Sequence, residues 1–177
     1  MERYVIRPAR LEDVPAMARV HVDTWRTTYA GLVPDEHLRG LSYERCAARW
    51  VEVLAEPGGE THAFVAEAAP GGILALASGG PVQEPLEPFD GELYVLYVRQ
   101  SFQRAGVGTL LVRRVARDLA ARGYGSLVIW VLKENPACGF YERFGGRRAA
   151  EKVVEIGGKA LVDVAYVWAD LGVFGQD

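Results

Sequence analysis

The stretch that decides the fold is "VRQSFQRAGVGTLLVRRVARDLAARG", residues 98–123. It begins at the end of an apolar strand and continues as an amphipathic helix that stops at Gly123, with Gly106 and Gly108 at the junction. A helix N-terminus offers unpaired amides and partial positive charge, and glycine allows a ligand to approach that backbone closely. The junction therefore predicts either a phosphate-binding site or a tight turn without a ligand.

Two common phosphate-binding motifs do not fit this junction. A P-loop requires GxxxxGK[ST], and neither glycine is followed by Lys-Ser or Lys-Thr. A dinucleotide fingerprint requires a third glycine or alanine where this chain has Leu111, and the junction follows four predicted strands. A nucleotide-dependent phosphotransferase and a dinucleotide-dependent dehydrogenase are therefore disfavoured.

The periodicity of the rest of the chain predicts one mixed α/β domain over residues 1–177, with the element order β-αα-β-β-β-α-β-α-β-β. Residues 34–54 read as helical with a break at Gly40, and Asn135 is expected to cap a short helix. Residues 81–92, with three prolines and four acidic residues, read as a loop. Gly157 and Gly158 indicate a hairpin between the last two strands.

Composition narrows the classes of function. The net charge of −3 argues against nucleic-acid binding, and every apolar run is shorter than the roughly 20 residues that span a membrane. The charged N-terminus lacks the apolar core of a signal peptide, and Cys46 and Cys138 read as free thiols, so we expect a cytoplasmic protein. With three scattered histidines, these cysteines form no plausible metal site.

Three motifs together resemble the GNAT (GCN5-related) N-acetyltransferase superfamily over nearly the whole chain. "QRAGVG" (103–108) matches its Q/R-x-x-G-x-G/A loop, "GELYVLYV" (91–98) resembles its fourth strand, and "FYERFGG" (140–146) resembles its second motif. The resemblance implies a single domain with a central, mostly antiparallel sheet of about seven strands flanked by helices. It also implies acetyl-CoA as co-substrate and transfer of its acetyl group to an amine.

The same resemblance implies which residues hold the coenzyme. The fourth strand should splay from its neighbour, residues 126–132, so that its backbone can pair with the pantetheine arm, while the glycine loop binds the pyrophosphate. Arg99 and Arg104 could add charge near the phosphates or remain solvated. Asn135 lies six residues before Tyr141, where the family usually has seven, so it is either a coenzyme contact or only a helix cap. The implied coenzyme-binding residues are Leu96, Tyr97, Val98, Gln103, Arg104, Ala105, Gly106, Val107, Gly108 and Asn135.

The resemblance also assigns roles in the reaction. Tyr141 is expected to protonate the leaving thiolate, Glu92 to act as the base, and Trp25 and Tyr29 to wall the acceptor pocket. The alternatives are an aromatic residue packed under the last hairpin for Tyr141, a solvated carboxylate for Glu92, and core packing for Trp25. The acidic residues of the stretch 84–92 either favour a cationic substrate or simply form a solvated loop.

The predicted function is direct, acetyl-CoA-dependent acetylation of the primary amine of a small molecule or peptide. Transfer of another acyl group, or transfer to a hydroxyl, is the alternative within enzymes. A coenzyme A or metabolite-binding module without turnover is the alternative from another class. Small members of this family often pair through the sheet or the C-terminal strands, which leaves a monomer and a homodimer open.

Overall fold

The computed structural model describes residues 4–68 and 71–175. The strands are β1 (Tyr4–Pro8), β2 (His62–Ala68), β3 (Ile73–Leu86), β4 (Phe89–Val98), β5 (Leu127–Leu132), β6 (Arg147–Ile156) and β7 (Lys159–Trp168). The helices are α1 (Val14–Thr28), α2 (Asp35–Arg39), α3 (Tyr43–Ala55), α4 (Val107–Ala121) and α5 (Cys138–Arg143). None of these helices is long and apolar enough to cross a membrane.

The seven strands form one sheet in the order β1-β2-β3-β4-β5-β7-β6, in which only the β4/β5 pair is parallel. The predicted mixed α/β fold with about seven strands is therefore confirmed. Helix α4 packs on one face of the sheet, where Leu111 and Val115 are fully buried, and α1 and α3 cover the β1–β4 half of the other face. The predicted helix break at Gly40 is also present, because α2 ends at Arg39 and Ser42 caps α3 by accepting a bond from the Arg45 amide.

The sheet splits between β4 and β5. The two strands pair only through Glu92 with Val128 and Leu93 with Ile129, and no further pairs follow along the rest of these two strands. Just past this point, the register between β3 and β4 shifts. Gly79 pairs with Leu93 and its neighbour Ser78 pairs with Val95, so that Tyr94 forms a bulge in β4. A bulge bends its strand and increases the local twist, which explains why β4 turns away from β5 here.

The segment 81–92 is not the loop that its prolines predicted. Strand β3 continues to Leu86 and β4 starts at Phe89, so this segment is the end of a β-hairpin. The pairing of β2 with β3 stops at Gly79, which leaves one edge of β3 without a neighbouring strand among the described residues beyond that point. Proline lacks an amide donor, and such an edge does not require one.

The Arg7–Asp13 pair ties β1 to the start of α1. Arg7 donates to both oxygens of the buried Asp13 at 2.7 and 2.8 Å, and the Arg10 amide donates to Asp13 Oδ2 at 2.8 Å. The hydrogen bonds from Arg7 lower the pKa of the Asp13 carboxyl. A lowered pKa in the folded state means stabilisation that is present at neutral pH and lost as the pH falls through that pKa.

We expect Asp13→Asn to lower the free energy of unfolding by about 2–3 kcal/mol at pH 7, since it weakens charged hydrogen bonds in a buried site. The difference from the wild-type protein should shrink as the pH falls below about 4, the ordinary carboxyl range. Urea unfolding at several pH values measures both effects. Glu12→Gln is the control, because the exposed Glu12–Arg10 pair should contribute little; a difference that persists at low pH would contradict the electrostatic explanation.

Candidate active site

A cleft of about 860 Å³ opens where β4 and β5 diverge. It is bounded by the split strands, the loop before α4, helix α5 and the C-terminal end of α1. Its lining includes Thr24, Trp25, Tyr29, Tyr94, Leu96, Tyr97, Val98, Gln103, Arg104, Gly106, Gly108, Trp130, Leu132, Asn135, Phe140, Tyr141, Arg143, Ile156 and Asp163. Most of the residues that the sequence assigned to the coenzyme and the acceptor are thus lined up along one cavity.

The glycine loop forms the end of the cleft next to α4. Gly106 has a φ of +82° and Arg104 a φ of +63°, and Gly106 O accepts the first bond of the helix from the Leu110 amide at 3.2 Å. The first amides of a helix have no partner within the helix, so they are available to a ligand at this point. Of the predicted loop residues, Ala105 and Val107 do not line the cleft, and the Val107 side chain is buried in the core.

One edge of β4 faces the cleft beyond the split. Leu96, Tyr97 and Val98 pair with β3 on one side and lie along the cavity on the other. The carbonyl oxygen of Val98 accepts a bond of 3.1 Å from the Gln103 side chain, which fastens the glycine loop to the strand. This edge of β4 is suited to an extended ligand that adds to it by backbone hydrogen bonds.

Tyr141 of α5 is only 5% exposed and packs among aromatic rings, with centroids 5.2 Å from Phe140 and 5.9 Å from Tyr166. Burial raises the pKa of its phenol, which therefore stays protonated at neutral pH. Within residues 4–68 and 71–175, its hydroxyl makes no hydrogen bond, although the residue lines the cleft. A buried hydroxyl of this kind can donate to a group that enters the cavity.

Three more predicted site residues are connected by hydrogen bonds across the cleft. Asn135 donates from Nδ2 to the Tyr29 hydroxyl at 3.3 Å, and its Oδ1 accepts from the Ala137 amide at 2.9 Å. Trp25 donates from Nε1 to the Tyr97 hydroxyl at 2.9 Å. The Asn135 side chain thus shapes the turn before α5 and positions Tyr29, while its contact with a coenzyme stays a prediction.

Glu92 has a different position from the one expected of a base that faces the acceptor. It is 7% exposed and does not line the cleft, and its Oε2 accepts a bond of 2.9 Å from the Gln83 amide. Burial raises the pKa of its carboxyl. Its role as base stays a prediction, but the structure does not bring its carboxylate into the cavity.

The structure adds cleft residues that sequence reasoning missed, among them Tyr94, Trp130, Arg143 and Asp163. Asp163 lies in the middle of the apolar strand "KALVDVAYVW". A carboxylate inside such a strand is unusual, and this was the signal that could have found it. Within the described residues, no group of three or more His, Cys, Asp or Glu side chains could hold a metal ion.

Comparison with known proteins agrees with this arrangement. The FR47-like protein family matches residues 72–154, which include β3, β4, the glycine loop, α4, β5 and α5. The uncharacterized N-acetyltransferase YuaI of Bacillus subtilis (strain 168) is 37% identical over 166 residues, which cover 94% of this chain and 93% of YuaI.

Two solved structures share the fold. PaiA N-acetyltransferase from Thermoplasma acidophilum, in complex with coenzyme A, has a TM-score of 0.67 at 17% identity, with 92% of this chain and 98% of that chain covered. YncA from Salmonella typhimurium, with its cofactor acetyl-CoA, has a TM-score of 0.68 at 20% identity, with 94% and 93% covered. Together with the similarity to YuaI along almost the whole sequence, the split sheet and the glycine loop assign this chain to the GNAT superfamily of N-acetyltransferases.

Proposed function

We propose that this protein transfers the acetyl group of acetyl-CoA directly to the primary amine of a small molecule or peptide. The observation that carries the proposal is the continuity of one cleft from the glycine loop, along the free edge of β4, to the phenol of Tyr141. A phosphate site, a strand edge and an acid follow one another along this cavity, as a long thioester of coenzyme A requires. The coenzymes bound to PaiA and YncA support the same assignment.

On the coenzyme side, the amides of the glycine loop bind the pyrophosphate and the edge of β4 holds the pantetheine arm. The helix dipole of α4 and the guanidinium groups of Arg104 and Arg143 favour the negative charge of the phosphates. In this arrangement the acetyl group lies near the split, where a backbone amide on the free edge of β4 can polarise its carbonyl oxygen. The Val98 amide lies at the other end of this edge, beside the glycine loop. Tyr141 then lies beside the sulfur.

The reaction requires a neutral amine, a stabilised carbonyl oxygen and a protonated leaving group. An alkylamine with a pKa near 10 is neutral only about one part in a thousand at pH 7, which corresponds to about 4 kcal/mol. Tyr141 donates its proton to the departing thiolate, so the thiol leaves instead of the less stable anion. Glu92, the base suggested by the sequence, would act only through an intervening water, since its carboxylate does not line the cleft.

The proposal is tested by incubating the protein with acetyl-CoA and representatives of the candidate amines: a polyamine, an aminoglycoside, an amino acid, a peptide N-terminus and a peptide lysine. Released thiol and the mass of the acetylated product are measured, and the corresponding alcohols serve as controls. We expect amine-dependent thiol release with at least one amine and little with the alcohols. Tight binding of coenzyme A without turnover of any amine would contradict the proposal and favour a coenzyme-binding module.

A further inference from the structure

The charged residues of the cleft are separated by sign. Among the described residues that line it, three are charged: Arg104, Arg143 and Asp163. The two arginines belong to the glycine loop and to α5, on the face of the sheet that α4 covers. Val164 and Tyr166 of β7 pack in the core beneath α4, so the alternation of the strand directs Asp163 to the opposite face. Among the described residues, the cleft therefore has a cationic end for phosphates and a single carboxylate on the opposite face of the sheet.

The carboxylate of Asp163 is left available by its neighbours. Lys152 lies directly across from it on β6, but Lys152 Nζ binds Glu84 Oε2 at 2.8 Å and lies 4.2 Å from the ring centroid of Trp130. Within residues 4–68 and 71–175, Asp163 makes no side-chain hydrogen bond or ion pair. It is half-buried, and this burial raises the pKa of its carboxyl, with Lys152 opposing the rise and Glu84 adding to it. Glu92, also buried, is on β4 and does not line the cavity.

Aromatic and apolar side chains line the cleft around this carboxylate. Leu132 pairs with Asp163 across β5 and β7, and Trp130 lies two residues before Leu132 on the same face. Trp25 of α1 and Tyr29, the residue that follows α1, have ring centroids 4.6 Å apart and pack against Leu132 and Ile156 to form another wall. These surroundings suit a compact cation attached to an apolar or aromatic body, which can stack on rings while its charge meets the carboxylate.

We propose, on the basis of the function proposed above, that Asp163 is the catalytic carboxylate of the acceptor site, and that the acceptor is a primary ammonium attached to an apolar or aromatic body. Asp163 binds the ammonium and takes one proton from its nitrogen. The nitrogen lone pair then forms a bond to the thioester carbon, and the carbon–sulfur bond breaks as Tyr141 gives its proton to the sulfur. The second proton lost from nitrogen restores the phenol, and Asp163 releases the first proton to solvent.

The test compares Asp163→Asn with Glu92→Gln, which removes the base suggested by the sequence, and with a control, Glu151→Gln. The Glu151 carboxylate accepts a bond from Lys133 at the surface and does not line the cleft. With a primary arylalkylamine such as phenethylamine as the probe, we expect Asp163→Asn to lower kcat/KM by about 100-fold or more, the usual size for a proton-transfer group. Glu151→Gln should stay within a few-fold of the wild-type enzyme, because its exposed ion pair with Lys133 contributes little. Equal rates for Asp163→Asn and the wild-type enzyme, or a large loss in Glu92→Gln alone, would overturn the proposal.

The pH dependence gives a second readout that a structural role would not produce. In the wild-type enzyme, kcat/KM should rise as the Asp163 carboxyl ionises and then stay level up to the pKa of the amine. In Asp163→Asn it should keep rising about tenfold per pH unit, because only amine that is already neutral in solution can react. A parallel profile in the two proteins would also overturn the proposal.

The affinity of Asp163→Asn for coenzyme A, measured by calorimetry, should equal that of the wild-type protein. This result would show that the variant is folded. The two proposals fail in different ways. If the wild-type enzyme acetylates no amine at all, the proposed function is wrong and this inference is wrong with it. If the wild-type enzyme acetylates amines and Asp163→Asn does so equally well, only the inference is wrong.

Discussion

In Gly108→Val, we expect the affinity for coenzyme A to fall by about 10- to 100-fold while the protein remains folded. A Cβ at residue 108 would lie 3.8 Å from Val98 Cγ2, 3.9 Å from Leu96 Cδ2 and 4.0 Å from Phe140 Cζ, all ordinary contact distances. The larger side chain of valine would therefore extend into the cleft between β4 and α5. Overfilling a packed site costs about 1–3 kcal/mol, and each 1.4 kcal/mol is a factor of ten in affinity.

Gly108→Ala is the matched control, because its single methyl group fits without displacing a neighbour. It should bind coenzyme A nearly as well as the wild-type protein, and it should be slightly more stable because alanine favours helix more than glycine does. Gly106 is a poorer position for this test, since its φ of +82° makes any branched side chain strained whether or not a ligand binds there. Calorimetric titration with coenzyme A measures the affinity, and unchanged binding in Gly108→Val would mean that the loop is only a turn.

The glycine loop and the order of helices and strands along the chain were predictable because they depend on local rules. Gly106 adopts a left-handed conformation that other residues avoid, and the apolar stripe of α4 has helical periodicity, so both leave a trace in the sequence. The resemblance to one superfamily then supplied the split between β4 and β5. Strands β4 and β5 pair through only two residue pairs, and Tyr94 forms a bulge in β4. Neither feature has a strong signal in the local sequence.

The prolines of 81–92 misled the sequence reading for a tertiary reason. Pro81 and Pro85 are acceptable in β3 because β2 has already ended, and a sequence does not show where a neighbouring strand stops. Asp90 accepts bonds from the Gly125 and Ser126 amides, which ties this hairpin to the start of β5. Asp90, which the sequence assigned either to a site for a cationic substrate or to a solvated loop, is thus part of the framework.

The acceptor side was the least predictable part of the site. Glu92 and Asp163 are both carboxylates in largely apolar strands, and the resemblance to one superfamily favours Glu92 because of its place at the start of the fourth strand. The difference arises from packing. The Gln83 amide at the end of β3 donates to the Glu92 carboxylate, whereas Lys152 binds Glu84, so that the Asp163 carboxylate remains accessible in the cleft. Such a choice among partners depends on three or four strands at once.

In Tyr141→Phe, we expect turnover to fall by about 100-fold or more, while folding and coenzyme A affinity barely change. The substitution removes one hydroxyl that makes no hydrogen bond within the described residues, and phenylalanine can keep the contacts with Phe140 and Tyr166. Without the phenol, the thiolate must leave as an anion or wait for a proton from water. Raising the pH should not rescue this variant, because a neutral amine does not replace the missing acid.

Tyr29→Phe is the control that separates an acid from any phenol in the cleft. The Tyr29 hydroxyl already accepts a bond from Asn135, and burial raises its pKa as it does that of Tyr141. Its loss should therefore change the binding of the acceptor more than the chemical step. Single-turnover measurements are needed for both variants, since slow product release could conceal a loss in the chemical step. Wild-type single-turnover rates in Tyr141→Phe would assign protonation of the thiolate to water, whereas a large loss in Tyr29→Phe alone would make Tyr29 the acid.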